Sequence, residues 1–436
     1  MTAVQDERLR GGYAPDGLPR LLVGERDGTG SLEEHLRVHG ALPPRIDPRS
    51  MLDELDRSGL AGRGGASFPT ARKWRAVADR RGRAVVVANG CEGEPASHKD
   101  ALLLARFPHL VLDGLAVAAA TVGARDAVLA VERTRPELVT AVTRAISERA
   151  ATGRDRVVPR VVGVPARYVA GEESALVHWL NGGDAKPTNV PPRPFERGVS
   201  GRPTLVQNVE TLAHVALVAR HGGDWFRAVG TPAEPGSILV TISGAVASPG
   251  VCEVELGTPL GHVISRAGGA TSPLSAVLVG GYFGTWLPAT SLDEAVLANT
   301  ELRARGGGIG CGVVVALPGT ACGLVEAARV ARYLADETAG QCGPCVNGLA
   351  AVAGAVEEIA YRKATPERVR QIDRWTRMIA DRGACHHPDG AIRFVRSALD
   401  AFRDELDMHA RGRCTGSATA PVLPVPSGQS RDRGWR

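Results

Sequence analysis

A five-residue apolar run, Ala84-Val-Val-Val-Ala88, leads directly into an acidic, glycine-punctuated loop, Asn89-Gly-Cys-Glu92-Gly-Glu94-Pro95. A continuous β-branched run of this length reads as a strand covered on both faces, the condition of a parallel sheet. Comparable runs recur at Ala127–Val131 and Val157–Val164, with helical periodicity over Leu102–Val122 and Pro136–Ala150 between them. Strands alternating with helices predict an α/β unit with crossover helices. The carboxyl ends of such strands are where open α/β sheets bind ligands.

The pattern then changes. Ser237-Ile-Leu-Val-Thr-Ile-Ser-Gly opens a stretch of short β-rich runs and Gly turns reaching about Leu317, a small separate β domain. From Leu324 to His409 the spacing is helical, with three or four helices expected in a bundle. The 436 residues therefore divide into an N-terminal extension (1–50), an α/β domain (51–235), a small β domain (236–320), a helical domain (321–412) and a Ser/Pro/Gly/Arg-rich tail expected to be disordered (413–436).

A net charge of +5 with no basic stripe interleaved with aromatics argues against nucleic-acid binding. The N-terminus shows no basic region followed by an apolar one. The richest apolar stretch, Leu110–Val122, contains Asp113 and has the length of a core helix, so no direct membrane insertion is expected. A cytoplasmic chain, at most peripheral to a membrane complex, is the expectation. Its eight cysteines then suggest metal or redox chemistry rather than disulfides. Only four lysines, at 73, 99, 186 and 363, stand against 48 arginines, and three of them fall in or beside motifs. A lysine kept in such a chain hints at a site that needs a compact ammonium.

Three motifs carry chemistry. Gly62-Arg-Gly-Gly-Ala-Ser-Phe-Pro-Thr70, followed by Lys73 and Trp74, offers glycines that let backbone amides approach a phosphate ahead of a helix start. A plain tight turn reads equally well. In the loop after Ala88, Glu92 and Glu94 suit hydroxyl groups of a ligand, or form a solvated turn. In Tyr168-Val-Ala-Gly171-Glu172-Glu173-Ser174, the adjacent acids suit a ligand or simply cap a helix. A fourth motif is Gly201-Arg-Pro-Thr-Leu-Val-Gln-Asn208-Val-Glu210-Thr211.

Taken in order from about Leu52 to Phe402, these motifs resemble the 51 kDa flavoprotein subunit of respiratory complex I and of related NAD-linked hydrogenases and formate dehydrogenases. The resemblance implies an FMN-binding α/β domain with a parallel sheet, a ubiquitin-like β-grasp (soluble-ligand-binding-like) domain and a C-terminal iron–sulfur bundle. It implies an FMN pocket made by Gly62, Gly64, Gly65, Lys73, Asn89, Glu92, Tyr168, Gly171, Glu172 and Asn208. Phe68, Glu94 and Glu173 would meet NADH, with Glu94 and Glu173 on the nicotinamide side as catalytic residues. The implied partners are other electron-transfer subunits, iron–sulfur or ferredoxin-like.

Cys342-Gly-Pro-Cys345 with Cys385 some forty residues on suits iron–sulfur ligation, with zinc and His386 or His387 as the next reading. The family pattern has a further cysteine where this chain has Ala339. A 4Fe-4S cluster on Cys342, Cys345 and Cys385 would need a substitute ligand such as His386, His387 or Cys322, or would be degraded or absent. Cys252, Cys311 and Cys414 read as isolated, and Cys91 stands where the family has Asp. The nucleotide side also differs: Ala76 and Arg193 replace phenylalanines and Val190 a lysine, by ungapped alignment. The expected activity is FMN-dependent oxidation of NADH with electrons passing to an iron–sulfur centre, as in an NADH dehydrogenase. The alternatives are an FMN subunit that exchanges electrons with a ferredoxin-like partner, or a non-catalytic scaffold.

Overall fold

In the computed structural model, the residues described are 17–24, 30–153, 155–414, 416, 420–426 and 434–436; the side chains of 362 and 363 are not among them. The first domain is built from α1 (Leu32–His39), α2 (Pro48–Ser58), α3 (Thr70–Ala78), β1 (Val85–Gly90), α4 (Lys99–Arg106), α5 (Pro108–Val122), β2 (Asp126–Glu132), α6 (Pro136–Ala151), β3 (Arg160–Val164), α7 (Glu173–Leu180), β4 (Thr204–Asn208), α8 (Val209–His221) and α9 (Gly223–Arg227). The sheet is wholly parallel in the order β3-β2-β1-β4. Val86, Ala88, Leu129 and Leu205 face one core, Val85, Val87, Val128 and Val206 the other, so both faces are covered as the apolar runs require.

Two boundaries differ from the sequence reading. Leu102–Val122 is two helices meeting at 95°, because Pro108 starts a new helix and cannot continue the preceding one. β3 begins at Arg160 rather than Val157, immediately after Pro159, which has no N–H for the ladder. Gly114 lets α5 and α8 approach closely: a Cβ there would lie 1.9 Å from the Leu212 carbonyl oxygen. No single helix among the described residues is long and apolar enough to cross a membrane; the bent α4–α5 pair meets that composition but packs around the sheet.

The second domain runs through β5 (Ser237–Gly244), β6 (Gly250–Glu255), α10 (Leu260–Arg266), β7 (Leu274–Val279), β8 (Thr285–Pro288), α11 (Asn299–Ala304) and β9 (Val313–Pro318). Strand order is β6-β5-β9-β7-β8, with β5 and β9 parallel and the other pairs antiparallel, which is the β-grasp arrangement. The third domain has five helices where three or four were expected: α12 (Gly323–Asp336), α13 (Ala350–Glu358), α14 (Pro366–Ile379), α15 (His387–Ala401) and α16 (Arg403–Ala410). Wider π-helical turns flank α13 at Pro344–Leu349 and Ile359–Lys363.

The two ends of the chain are tied down where described. The backbone amides of Arg20 and Leu21 donate to Glu253 at 2.7 and 2.8 Å, joining the N-terminal segment to the β-grasp domain. The tail expected to be disordered is instead held at two places. Leu423 is buried in the helical core and its amide donates to Glu326 at 2.9 Å. The Trp435 ring lies 4.3 Å from the Arg167 guanidinium. One apolar residue and one indole supply contacts that a low overall hydrophobicity conceals. Residues 1–16, 25–29, 415, 417–419 and 427–433 lie outside the described set.

Candidate functional site

The strand order reverses between β1 and β4, and such a switch point opens a crevice at the carboxyl ends of the strands. Asn89 and Asn208 are register partners there, the last matched pair of those two strands. Each side chain is fixed from within. Asn89 donates to the Gly171 carbonyl (2.8 Å) and accepts from the Cys91 amide (3.1 Å). Asn208 caps α8 through its oxygen and donates to Asp100 at 2.7 Å.

Above this pair lies a cavity of about 700 Å³, within the range of small-molecule and cofactor sites. Gly64, Gly65, Asn89, Glu92, Glu94, Tyr168, Gly171, Glu172 and Asn208 line it. Gly65, at φ +105°, faces Gly310 of the β-grasp domain, whose backbone would lie 3.9 Å from a Cβ there. Three helix N-termini converge here. Glu92 accepts from the amides of Asp100 and Ala101 at the start of α4, and Glu172 from those of Ser174 and Ala175 at the start of α7. The helix-capping reading of Glu172 therefore holds alongside its place in the cavity wall. A glycine cradle, acidic side chains held by the helix starts and two fixed amides suit a phosphorylated, hydroxyl-rich cofactor such as FMN.

Four of the flavin and nucleotide candidates stand off this wall. Gly62 closes a small hairpin, its amide donating to the Phe68 carbonyl at 2.8 Å, so it shapes the loop without lining the cavity. Phe68 is exposed, with the Arg72 guanidinium 5.7 Å from its ring. Lys73 and Glu173 pair at 3.0 Å, both partly exposed. In the structure Glu173 thus meets Lys73, and of these two acids Glu94 is the one that lines the cavity.

Glu94 accepts from the Tyr168 hydroxyl at 2.9 Å and from the Tyr282 amide at 2.7 Å. Burial pushes its carboxyl up to about 7, against the pull of the amides of Tyr282 and Ala96 and the Tyr168 hydroxyl. Cys91, in the family's Asp position, lines the cavity as a thiol that burial holds well above its ordinary value, with Glu132 and Asp100 adding to the effect.

The sequence reading missed the floor and the far wall. Lys99 is buried, 2.7 Å from Asp100 and 2.9 Å from Glu210. Its rarity and its position just past the acidic loop were the available signals. The Gly306-Gly-Gly-Ile-Gly310 run and Asn299 of the β-grasp domain close another side; no local chemistry in that run marked it. The last wall is the Cys385–His386–His387 loop of the helical domain. His387 is buried and its Nε2 lies 2.8 Å from the Leu334 carbonyl, so that nitrogen carries the proton. The side chain of His386 is fully exposed.

The thiols of Cys342, Cys345 and Cys385 are neighbours. Cys345 sits in the π-helical turn before α13, and burial pushes its thiol up to about 12, with Cys342 and Cys385 contributing. Three neighbouring thiols, of which Cys385 lines the cavity, fit an iron–sulfur cluster on three protein ligands. Cys322, considered as a fourth, faces Glu405 and His409 instead. At Ala339 no donor is present.

Comparison with known proteins agrees with this geometry. Residues 55–217 match the Nuo51 FMN-binding domain, 239–281 the SLBB domain, and 326–409 the iron–sulfur binding region of NADH-ubiquinone oxidoreductase F. The second NADH-quinone oxidoreductase F protein of Rhizobium meliloti (strain 1021) is 32% identical over 383 residues, covering 84% of this chain and 90% of that protein. The NADH-quinone oxidoreductase F protein of Aquifex aeolicus (strain VF5) is 31% identical over 415 residues, covering 92% and 96%. Among solved structures, an NAD+-reducing NiFe hydrogenase in its H2-reduced state superposes with a TM-score of 0.80 at 32% identity, over 96% of this chain and 69% of that one. With all three domains matched in order, this chain belongs to the complex I 51 kDa flavoprotein family, that of the NADH-quinone oxidoreductase F proteins.

Proposed function

We propose that the chain is an FMN-dependent electron-transfer subunit that takes electrons from NADH and passes them toward an iron–sulfur centre. One observation carries this reading: a single cavity has the glycine cradle and Asn208 on one side and the Cys385 loop on the other. A bound flavin accepts a hydride and gives up electrons singly. The chain's own residues supply position and charge. The Gly64–Gly65 turn would receive the phosphate and the capping acids Glu92 and Glu172 would face the hydroxyls, Asn89 and Asn208 fix the crevice, and Gly171 leaves room beside Cys91. Tyr168 holds Glu94, and Cys342, Cys345 and Cys385 hold the cluster. Gly62, Lys73, Phe68 and Glu173 act at the rim, where the nucleotide enters. The partners are other electron-transfer subunits, and the chain acts peripherally within such an assembly.

Anaerobic purification and visible spectroscopy test this. The expected result is about one FMN per chain, bleached by NADH. A protein that stays colourless after FMN reconstitution overturns the reading. Flavin that bleaches only with a reduced ferredoxin keeps the cofactor and removes NADH as donor.

NADH should bind weakly. Val190 and Arg193 are exposed and lie outside the cavity wall, and Ala76 offers no ring. Losing one stacking surface costs about 1–3 kcal/mol, roughly tenfold or more in affinity. Titration of the oxidised protein with NADH under single-turnover conditions should give a Kd weaker than about micromolar; a tighter one contradicts the prediction.

Glu94 should impose a pH dependence centred near 7 on kcat/KM for NADH. Its folded-state value lies above the ordinary one, so the protonated form is favoured in the fold. The stability it contributes is complete below about pH 4.5 and is lost as pH rises through about 7. Glu94→Gln should remove the inflection. A profile unchanged by the substitution assigns the ionisation elsewhere.

A further inference from the structure

A second set of metal-type donors lies away from the flavin cavity, where the start of α12 meets the end of α16. Cys322 immediately precedes α12, His409 lies in the last turn of α16, and Cys414 follows that helix. One donor atom from each lies within 4.8 Å of the other two. Cys322 Sγ is 3.4 Å from His409 Nε2 and 3.2 Å from Glu405 Oε2. Zn–S bonds of about 2.3 Å and Zn–N bonds of about 2.0 Å, set tetrahedrally, separate their donors by roughly 3.6–3.8 Å. The observed spacing needs only small adjustment to reach this.

The histidine is already set for ligation. Its Nδ1 lies 3.0 Å from the Ile359 carbonyl oxygen, which only accepts, so Nδ1 carries the proton and the Nε2 lone pair is turned to Cys322. This is the second hydrogen bond that fixes tautomer and ring orientation at metal-ligating histidines. Cys322 and His409 are 8% and 1% exposed, so water contributes little to solvating them. Gly416 presses on the site: a Cβ there would lie 2.7 Å from the Cβ of Cys322. Cys414, read from sequence as isolated, is therefore part of a constellation formed only by folding.

We propose that Cys322, His409 and Cys414 bind one zinc ion, with Glu405 Oε2 facing the fourth position. Binding releases the two thiol protons to solvent and gives two zinc–thiolate bonds and one zinc–imidazole bond; no electron is transferred. Mixed thiolate and imidazole donors, two of them buried and Cys414 partly exposed, favour zinc in a structural role. The ion ties α12 to α16 and to the root of the tail, just ahead of the segment whose Leu423 enters the helical core. It is separate from the Cys342–Cys345–Cys385 loop, whose thiols neighbour one another.

The test is zinc analysis of the full chain, followed by cobalt substitution after chelation. We expect about one zinc per chain beyond any cluster iron, and a cobalt spectrum with tetrahedral and thiolate charge-transfer bands. Cys414→Ser and His409→Gln should abolish the charge-transfer band or weaken cobalt affinity at least about tenfold, while Cys385→Ser should leave both unchanged. Cys414 is partly exposed, so its variant reports even if the buried His409 substitution impairs folding. The proposal is overturned by absence of zinc together with a thiolate-free cobalt spectrum, by a Cys322–Cys414 disulfide in protein purified with zinc, or by a band that follows Cys385→Ser.

Discussion

Lys99→Met should lower the thermal transition of the flavin-binding domain by roughly 6–20 °C and leave the purified protein short of flavin. Lys99 is buried beneath the cavity, its ammonium 2.7 Å from Asp100 and 2.9 Å from Glu210, with all three side chains at most 5% exposed. Burial pushes Asp100 up to about 7 despite Lys99, whereas at Glu210 the pull of Lys99, His214 and Arg63 outweighs burial and holds the group at about 2. Removing the cation leaves an uncompensated buried carboxylate, which costs about 3–5 kcal/mol. For a domain of this size each kcal/mol moves the transition by about 2–4 °C. Without Lys99 the acids favour their protonated forms, so the loss should grow as pH rises from about 5 to about 8. Scanning calorimetry of the variant, and of Lys99→Met with Glu210→Gln, checks this: the double variant should recover part of the loss. A shift under about 2 °C for the single variant would mean that the acids are neutral together or that water reaches them.

The same lysine shows where sequence reading works and where it stops. Strand runs, the proline-bounded helices and the order of the motifs are local, so the layered sheet and the crevice at Asn89 were legible. Asn208 was found through a motif, but its pairing with Asn89 across the β1–β4 seam is a fact of register that neither segment states alone. Lys73 and Glu173 both belong to recognisable motifs, and the fold pairs them with each other. The Gly306–Gly310 wall and the Cys322–His409–Cys414 cluster were hidden for a related reason: residues far apart in sequence become neighbours only through packing, between domains in the first case and within the helical domain in the second. In the described part of the tail, Leu423 and Trp435 make specific contacts that composition, an average over residues, does not reveal.

Ala339→Cys should convert a fragile cluster into a durable one. The wild-type loop presents Cys342, Cys345 and Cys385, whereas Ala339 carries no donor and the side chain of His386 is fully exposed. Cluster stability and potential follow ligand identity and solvent exposure, so the iron left without a thiolate is the one lost first to oxygen. Ala339 is half-exposed on a turn closed by the Gly340 amide donating to Thr338 Oγ1 at 3.1 Å, and Thr338 also hydrogen-bonds the Cys345 thiol. A thiol at 339 therefore enters beside the existing ligands at little cost in stability. Even outer-shell partners of a metal ligand are worth about 10–100-fold in metal affinity, so a fourth direct ligand should extend the cluster's lifetime in air by at least about tenfold. Anaerobically reconstituted protein should then carry iron and acid-labile sulfide at about four each per chain after brief air exposure, where the wild type has lost part of both. Cys345→Ser should abolish the cluster in either background. If the wild type already keeps its full cluster in air, and Ala339→Cys changes neither iron content nor lifetime, another donor, such as the partnerless Nδ1 of His387, completes the set.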